Sequence, residues 1–164
     1  MNNSDDARNQ RDLYFMQMAL TLAKESEKQG EVPIGALIID AAGKIIGKAT
    51  NLREKKTTVL GHAELVAIHR ACKHLGSWRL NGCTLYVTLE PCFMCAGALV
   101  QSRIQRVVFG AYDPKGGALG TLANLGNDTR LNHSFEVTGG TQAEECGILL
   151  SSFFKNKRAA KKVR

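Results

Sequence analysis

Two short segments of this 164-residue chain carry side chains that bind metals and move protons. One is His62-Ala63-Glu64 and the other is Pro91-Cys92-Phe93-Met94-Cys95. Cys92 and Cys95 are three residues apart, so on a helix they lie on one face and can hold the same ion. Two thiolates and one imidazole favour zinc over calcium or magnesium. The sequence therefore predicts a zinc site with ligands His62, Cys92 and Cys95.

Both segments coincide with predicted helix starts, where free N–H groups and the helix dipole favour the thiolate form of a cysteine. His62 and Glu64 are two residues apart and would diverge by about 200° on a regular helix. Both can face one ion only if the end of the helix itself points at the site. We therefore expect the two helix starts to converge on the metal.

The number of ligands separates a structural zinc site from a catalytic one. A structural site usually has four protein ligands, whereas a catalytic site has three and leaves the fourth position to water. The remaining candidates form no second close pair in the sequence: Cys72, Cys83, Cys146, His69 and His74. The count therefore favours an open, catalytic site.

Glu64 has two interpretations. A carboxylate beside zinc-bound water can take its proton and deliver it elsewhere, which is typically worth about 10² to 10⁴ in rate. An acid in the first turn of a helix is also favoured by the helix dipole without any catalytic role. The neighbouring histidine and cysteine pair favour the first interpretation.

Neither motif is specific alone, because a CxxC pair also occurs in thioredoxin-type redox sites and in zinc ribbons. H-x-E followed by P-C-x-x-C is, however, a known signature of zinc-dependent nucleobase deaminases.

A disulfide framework is not expected, since the five cysteines are an odd number and the start, Met1-Asn2-Asn3-Ser4-Asp5-Asp6, lacks a signal-peptide apolar stretch.

Composition indicates an ordinary globular protein. A mass of 17.9 kDa, 44% hydrophobic residues and 23% charged residues exclude a mostly disordered, collagen-like or coiled-coil chain. We expect one domain over residues 1–164, with a core at about 12–155. No apolar run approaches the roughly 18 to 20 residues that cross a bilayer, so we expect no membrane contact and a cytoplasmic location.

The elements of the first half must position His62. Residues 1–10 are polar and are expected to fray, and a helix follows with Leu13, Met16, Leu20 and Ala23 on one face. Apolar runs over 34–39 and 44–49 predict a β-hairpin. Residues 53–58 form a basic loop that suits RNA or a solvated surface equally. A second helix over 61–75 is expected to carry Leu65, Val66, His69 and Cys72 on one face.

The second half predicts strands over 84–89 and 106–109 on either side of a helix from 91 to about 102. This order favours a parallel strand pair joined by a crossover. Residues 110–133 contain five glycines and predict a long irregular segment. A last strand is expected over 134–138. The whole chain is predicted to be a layered α/β unit with helices covering a small sheet.

The final helix is predicted to start with a capping box formed by Thr141 and Glu144. The net charge is +7, and six basic residues without any acid lie in the extension of this helix over residues 155–164. The rest of the chain is nearly neutral. This basic tail either contacts phosphate or keeps a helix end soluble.

With these residues in place, the chain resembles the bacterial tRNA-specific adenosine deaminases, members of the cytidine deaminase-like superfamily. The resemblance spans about residues 12 to 155. Besides the metal motifs it rests on Asn51, Asp113 and the segments 31–36, 84–92, 95–98, 102–104, 107–111 and 131–133. Residues 59–61, Val-Leu-Gly, depart from the pattern, and Gly61 is expected to alter the start of the helix.

The resemblance implies a three-layer α/β/α fold with a mixed five-stranded sheet, usually a homodimer. It implies hydrolysis of adenosine to inosine at the wobble position of a tRNA anticodon, with an arginine tRNA as the expected partner. His62, Cys92 and Cys95 would bind one Zn²⁺ per chain, and Glu64 would deprotonate the bound water and protonate purine N1 and the departing amine.

The resemblance also assigns Asn51 and Ala63 to substrate binding, although Asn51 alone reads equally well as a turn residue. For stacking on RNA bases the chain offers Phe93, Tyr112, Phe153 and Phe154, whose type favours the core. The main alternative is a free-base or nucleoside deaminase acting on guanine or cytosine. A non-catalytic zinc-stabilised nucleic-acid-binding module is a further alternative, which Glu64 argues against.

Overall fold

The structure is a computed structural model that describes residues 3–163. The described residues form four α-helices and five strands. Their bounds are α1 Asn3–Lys28, β1 Gly35–Ile39, β2 Ile45–Thr50, α2 Ala63–Leu75, β3 Thr84–Leu89, α3 Phe93–Gln101, β4 Arg106–Ala111, β5 Glu136–Gly139 and α4 Ala143–Lys162.

The five strands form one mixed sheet in the order β2-β1-β3-β4-β5. The hairpin strands β1 and β2 are antiparallel, and β1 is also antiparallel to β3. β4 is parallel to both β3 and β5, so the connection through α3 is the predicted crossover. The predicted hairpin, crossover and mixed five-stranded sheet are confirmed.

Helices cover both faces of the sheet because side chains alternate along each strand. Leu85 and Val87 of β3 pack in a core with α2 and α3. Tyr86 and Val108 pack in a second core with α1 and α4. The predicted three-layer architecture is confirmed. Within residues 3–163 no helix has both the length and the apolar character that spanning a membrane requires.

The predicted face of α2 is correct only in part, because Val66 and Cys72 pack against the core but remain half-buried. The buried residues of α2 are Ala63, Glu64, Ala67 and Ala71, while His69 is exposed. The helix lies so close to the sheet that a Cβ atom on Gly47 of β2 would come within 2.5 Å of the Ala67 carbonyl oxygen. Only small side chains fit this contact, so α2 buries its alanines rather than its larger apolar residues.

The starts of the first and last helices also differ from expectation. Residues 3–10, expected to fray, belong to α1, while residues 1–2 lie outside the described part. The predicted capping box of α4 is absent, because the N-cap is Gln142 with φ 52° and no capping side-chain bond. The Gln142 amide instead donates to Glu145. The extension of α4 by the basic tail is confirmed.

The segment predicted as irregular is shifted by two residues, to 112–135, and is better ordered than expected. β4 extends to Ala111, β5 begins at Glu136 rather than at 134, and a 3₁₀ turn spans Leu125–Asn127. Two isolated bridges, Cys92 with Gly117 and Leu119 with Asn124, lie in or against this segment. Its order therefore comes from long-range backbone contacts rather than from regular elements.

Candidate active site and metal centre

The two candidate ligand segments lie at the amino-terminal ends of α2 and α3. His62 is the N-cap residue of α2 and Cys92 is the N-cap residue of α3, both with extended backbone. Neither side chain makes a capping hydrogen bond, so both are free for another partner. Cys95 lies in the first turn of α3 and is buried.

The three ligand side chains lie together. His62 Nδ1 is 3.7 Å from Cys92 Sγ and 3.4 Å from Cys95 Sγ, and all three ligand atoms lie within 4.8 Å of one another. Tetrahedral zinc, with Zn–S of about 2.3 Å and Zn–N of about 2.0–2.1 Å, needs ligand–ligand distances of roughly 3.6 to 3.8 Å. The donor set and its spacing therefore fit a single zinc ion per chain.

The site offers three protein ligands rather than four. Across residues 3–163 no further histidine, cysteine or carboxylate joins the group formed by His62, Cys92 and Cys95. Cys83 and Cys146 are buried elsewhere, Cys72 is half-buried, and all five cysteines are free thiols. A zinc ion here would keep its fourth position for a water molecule.

Hydrogen bonds within the ligand group prepare it for a cation. In the metal-free protein, the bond that Cys92 shares with Cys95 lowers the pKa of the Cys92 thiol to about 4. The same bond raises the pKa of the Cys95 thiol. A bond to Cys92 raises the pKa of His62. Cys92 is thus a thiolate at neutral pH, the form that binds zinc.

Glu64 lies against the ligand group and is only 4% exposed. Its Oε2 atom is 3.9 Å from His62 Nδ1. Burial raises the pKa of the Glu64 carboxyl to about 7, although Cys95 and His62 act in the opposite direction. Because His62 is the N-cap rather than part of the regular helix, the divergence expected for residues two apart does not arise.

Comparison with known proteins identifies the family. The model of the cytidine and deoxycytidylate deaminase zinc-binding region matches residues 9–111. The chain is also 55% identical over 151 residues to the tRNA-specific adenosine deaminase of Bacillus subtilis, a match that covers 92% of this chain and 93% of the relative. The chain belongs to the tRNA-specific adenosine deaminase family. The resemblance inferred from the sequence is confirmed.

Two solved structures place this deaminase within its superfamily. One comes from a study of A-to-I editing by tRNA:A34 deaminases at the wobble position; it has a TM-score of 0.80 and 39% identity and covers 84% of this chain and 99% of that one. The other is a guanine deaminase from Bacillus subtilis, with a TM-score of 0.57 and 36% identity, covering 68% and 66% of the two chains. The match to the tRNA:A34 structure therefore covers more of this chain than the match to the guanine deaminase does.

Asn51 follows β2 and is buried. Its Oδ1 accepts a hydrogen bond from the Arg53 N–H at 3.2 Å, and its Nδ2 donates to the Val32 carbonyl at 3.4 Å. These bonds match the turn interpretation of this residue and hold the side chain in one orientation. Ala63, the other residue assigned to substrate, is the buried first residue of α2.

Gly61 brings the basic loop close to the metal histidine. Its carbonyl accepts a hydrogen bond from the Leu52 N–H at 2.8 Å. A Cβ atom on Gly61 would come within 2.7 Å of the Arg53 backbone nitrogen. The glycine therefore allows a close contact between the start of the 53–58 loop and the residue before His62. The expected effect of Gly61 on the start of the helix stays a prediction.

Three of the four aromatic residues considered for RNA contact are not core residues. Phe93, Tyr112 and Phe154 are each more than 40% exposed, whereas Phe153 is half-buried. The expectation that they belong to the core is wrong for the exposed three. Phe93 directly follows the ligand Cys92, so one exposed ring lies beside the metal centre in the chain.

Two buried glutamates that organise loops beside the site were not singled out from the sequence. Glu31 accepts hydrogen bonds from the backbone N–H groups of Glu54 and Lys55. Glu90 accepts bonds from the segment after β4. The available signal was an acid at the end of an apolar strand, directly before Pro91. Their partners are distant backbone groups, which no local pattern reveals.

Proposed function

We propose that this protein hydrolyses adenosine to inosine at the wobble position of a tRNA anticodon, in a single domain over residues 1–164. The observation that carries the proposal is the match to a tRNA-specific adenosine deaminase over nearly the whole chain, combined with an open three-ligand site beside a buried carboxyl. Acting on tRNA, the enzyme would work in the cytoplasm.

His62, Cys92 and Cys95 would hold the metal. Zinc held by these residues would supply Lewis-acid activation of the attacking water, whose pKa such a site lowers to about 7. Glu64 would accept one proton of the attacking water and pass it to purine N1 as the C6–O bond forms. It would then accept the remaining hydroxyl proton and pass it to the amine, so that the C–N bond breaks, ammonia leaves and a C6 carbonyl remains. In the metal-free protein, burial raises the pKa of this carboxyl to about 7, so Glu64 holds a proton more firmly than an exposed glutamate does.

Asn51 and Ala63 would bind the adenine base. The Asn51 amide is held in one orientation by two backbone contacts, which suits a group that recognises a base by hydrogen bonds. Ala63 is the first residue of α2, and the first N–H groups of a helix have no acceptor within it. Its N–H is therefore available to a purine atom.

RNA binding is supported by charge and by exposed rings. Lys155, Lys157 and Arg158 of the basic tail are exposed, and so are Tyr112 and Phe154. Unpaired anticodon bases stack on aromatic side chains while basic residues bind the phosphates. The partner we expect is the anticodon stem-loop of an arginine tRNA.

We also propose a homodimer, in which a second copy covers apolar residues next to the metal ligands. Val59, Leu60 and Phe93 are exposed and lie within three residues of His62 or Cys92. Exposed apolar side chains grouped in this way are typical of association surfaces. Sedimentation equilibrium tests the proposal: a mass near twice 17.9 kDa supports it, and a monomer at micromolar concentration contradicts it.

The activity is tested with an arginine tRNA anticodon stem-loop that carries adenosine at the wobble position. After incubation with the zinc-loaded protein, nuclease digestion and mass spectrometry should detect inosine. Guanine and cytosine are offered in parallel and ammonia release is measured. Turnover of either free base with the RNA unchanged would contradict the proposal in favour of the free-base deaminase alternative.

A matched pair of variants tests the role of Glu64. Glu64 and Glu144 are both acids in the first turn of a helix. Glu64→Gln should retain zinc and lose deamination by at least about 10²-fold, the usual lower value for a proton-transfer group. Glu144→Gln should retain full activity. Equal activities in the two variants would mean that Glu64 is only a first-turn acid.

A further inference from the structure

Glu90 is a buried carboxylate directly beside the metal-binding segment. It follows β3, precedes Pro91 and is 2% exposed. Within the described residues, no lysine or arginine forms a salt bridge with it. A buried carboxylate without a cation is costly unless hydrogen bonds replace its lost water. The partners of Glu90 therefore indicate what this side chain does.

All the hydrogen-bond donors to the Glu90 carboxylate come from residues 113–121, which we call the 113–121 loop. Its Oε1 atom accepts the Asp113 N–H at 3.2 Å. Its Oε2 atom accepts the N–H groups of Leu119 and Thr121, each at 3.1 Å. The Thr121 hydroxyl donates a fourth bond. A carboxylate accepts about four such bonds, so the capacity of Glu90 is filled by this one loop.

The same loop is bonded to the metal-binding turn. Gly117 pairs with the ligand Cys92 in an antiparallel bridge, and the Ala118 N–H donates to the Pro91 carbonyl at 2.9 Å. A Cβ atom on Gly117 would come within 2.3 Å of the Glu90 carboxylate, so the contact requires glycine. The loop thus lies between the Glu90 carboxylate and the backbone of a zinc ligand.

The start of the loop and the residue before it line a groove. Tyr112, Asp113 and Pro114 line it together with Leu89, the residue before Glu90, and Phe154 of α4. A displacement of the 113–121 loop would therefore move both the turn that carries Cys92 and one wall of this groove. The Glu90 carboxylate is the common point of attachment.

We propose that Glu90 is a positioning residue of the deaminase: it holds the 113–121 loop against the Pro91–Cys92 turn and thereby orients Cys92 toward the metal. This inference rests on the proposed function for its catalytic consequence only. Outer partners of metal ligands typically change metal affinity or activity by about 10- to 100-fold when they are replaced. An effect of that size is expected from Glu90.

Glu90→Gln is the direct test. The amide keeps the shape of the side chain but replaces one acceptor oxygen with a donor that faces backbone N–H groups. In the zinc-loaded protein, amide hydrogen exchange within 113–121 should accelerate about 10-fold or more, and zinc loss to a chelator should accelerate similarly. On the anticodon stem-loop, kcat should fall by more than KM rises.

Asp12→Asn is the control for a general loss of stability. Asp12 is also a buried carboxylate, but it binds Arg106 and Tyr86. Arg106 opens β4, at the end of the parallel strands opposite to Glu90. This variant should lower the melting temperature and leave loop exchange, zinc loss and kcat of the folded protein unchanged.

A second pair applies if Glu90→Gln does not fold. Thr121 is exposed, so its replacement should leave folding intact. Thr121→Val removes the hydroxyl that donates to Glu90, while Thr121→Ser retains it. Faster exchange and zinc loss in the valine variant, with wild-type values for serine, support the proposal.

Two outcomes overturn the positioning role. Unchanged exchange of the 113–121 loop in Glu90→Gln, or in Thr121→Val where that variant is used, would exclude it. A change equal to that of Asp12→Asn would assign Glu90 a purely structural role. The exchange and zinc measurements need no substrate, so they remain decisive even if the protein does not deaminate RNA.

Discussion

Two opposing effects act on the protonation of the Glu64 carboxyl. The start of α2 favours a carboxylate through the helix dipole, whereas burial against the ligand group removes water and raises the pKa of its carboxyl to about 7. Burial dominates because the side chain is almost fully enclosed. The proposed proton-transfer group is therefore placed where it lowers the stability of the metal-free protein.

The pH dependence of stability should reveal this cost. Between about pH 4.5 and 7 the unfolded chain releases the Glu64 proton while the folded chain retains it, so the contribution of Glu64 to stability decreases through this range and is constant above it. Glu64→Gln should raise the free energy of unfolding of the metal-free protein by about 1–3 kcal/mol at pH 8 and by little at pH 4. Urea denaturation at both pH values measures the difference. A difference independent of pH would contradict the assignment.

At the scale of elements, two helices approach the sheet over glycines. A Cβ atom on Gly35 of β1 would come within 2.1 Å of the Ala19 carbonyl oxygen of α1. A Cβ atom on Gly47 of β2 would come within 2.5 Å of the Ala67 carbonyl oxygen of α2. The α2 contact matters for the site because α2 carries His62 at its start. The distance between α2 and the sheet therefore sets the position of the candidate metal ligand His62.

Gly47→Ala tests this packing. The added methyl group meets backbone atoms rather than a flexible side chain, so we expect a loss of about 1–3 kcal/mol in stability. Gly147→Ala in α4 is the control, because a Cβ atom there has no neighbour within 4 Å. It should stabilise the helix by about 0.5–1 kcal/mol. Thermal unfolding of both variants measures the contrast, and equal effects would exclude the close contact.

For the whole molecule, the asymmetry of charge is the main feature. The body is almost neutral, and the exposed end of α4 carries the excess of lysine and arginine. Because these residues are all exposed, they contribute little to folding and are available to phosphates. The structure therefore separates a folded catalytic body from a basic helical extension.

Neutralising the extension should weaken RNA binding and its salt dependence. The variant carries glutamine at Lys155, Lys157, Arg158, Lys161 and Lys162. Its plot of log affinity against log salt concentration should become less steep by roughly 0.7 for each RNA phosphate that the variant no longer neutralises. Fluorescence anisotropy with the anticodon stem-loop measures this slope. An unchanged slope would mean that the extension only keeps the helix end soluble.

The sequence alone determined which residues form the metal group and two of the four strand pairings, β1 with β2 and β3 with β4. Spacing places Cys92 at the N-cap and Cys95 in the first turn of α3, and the strand–helix–strand order imposes a parallel crossover. These features follow from local geometry, which a short window of sequence contains. The family was also identifiable, since its motifs are contiguous.

Tertiary structure alone decided the features that depend on distant partners. The buried face of α2 follows from its close approach to Gly47, and alanines carry too weak an apolar signal to reveal it. The pKa of the Glu64 carboxyl follows from its burial, and the order of the 113–121 loop from bonds to Glu90. Burial and backbone hydrogen bonding join residues far apart in the chain, so no local pattern specifies them.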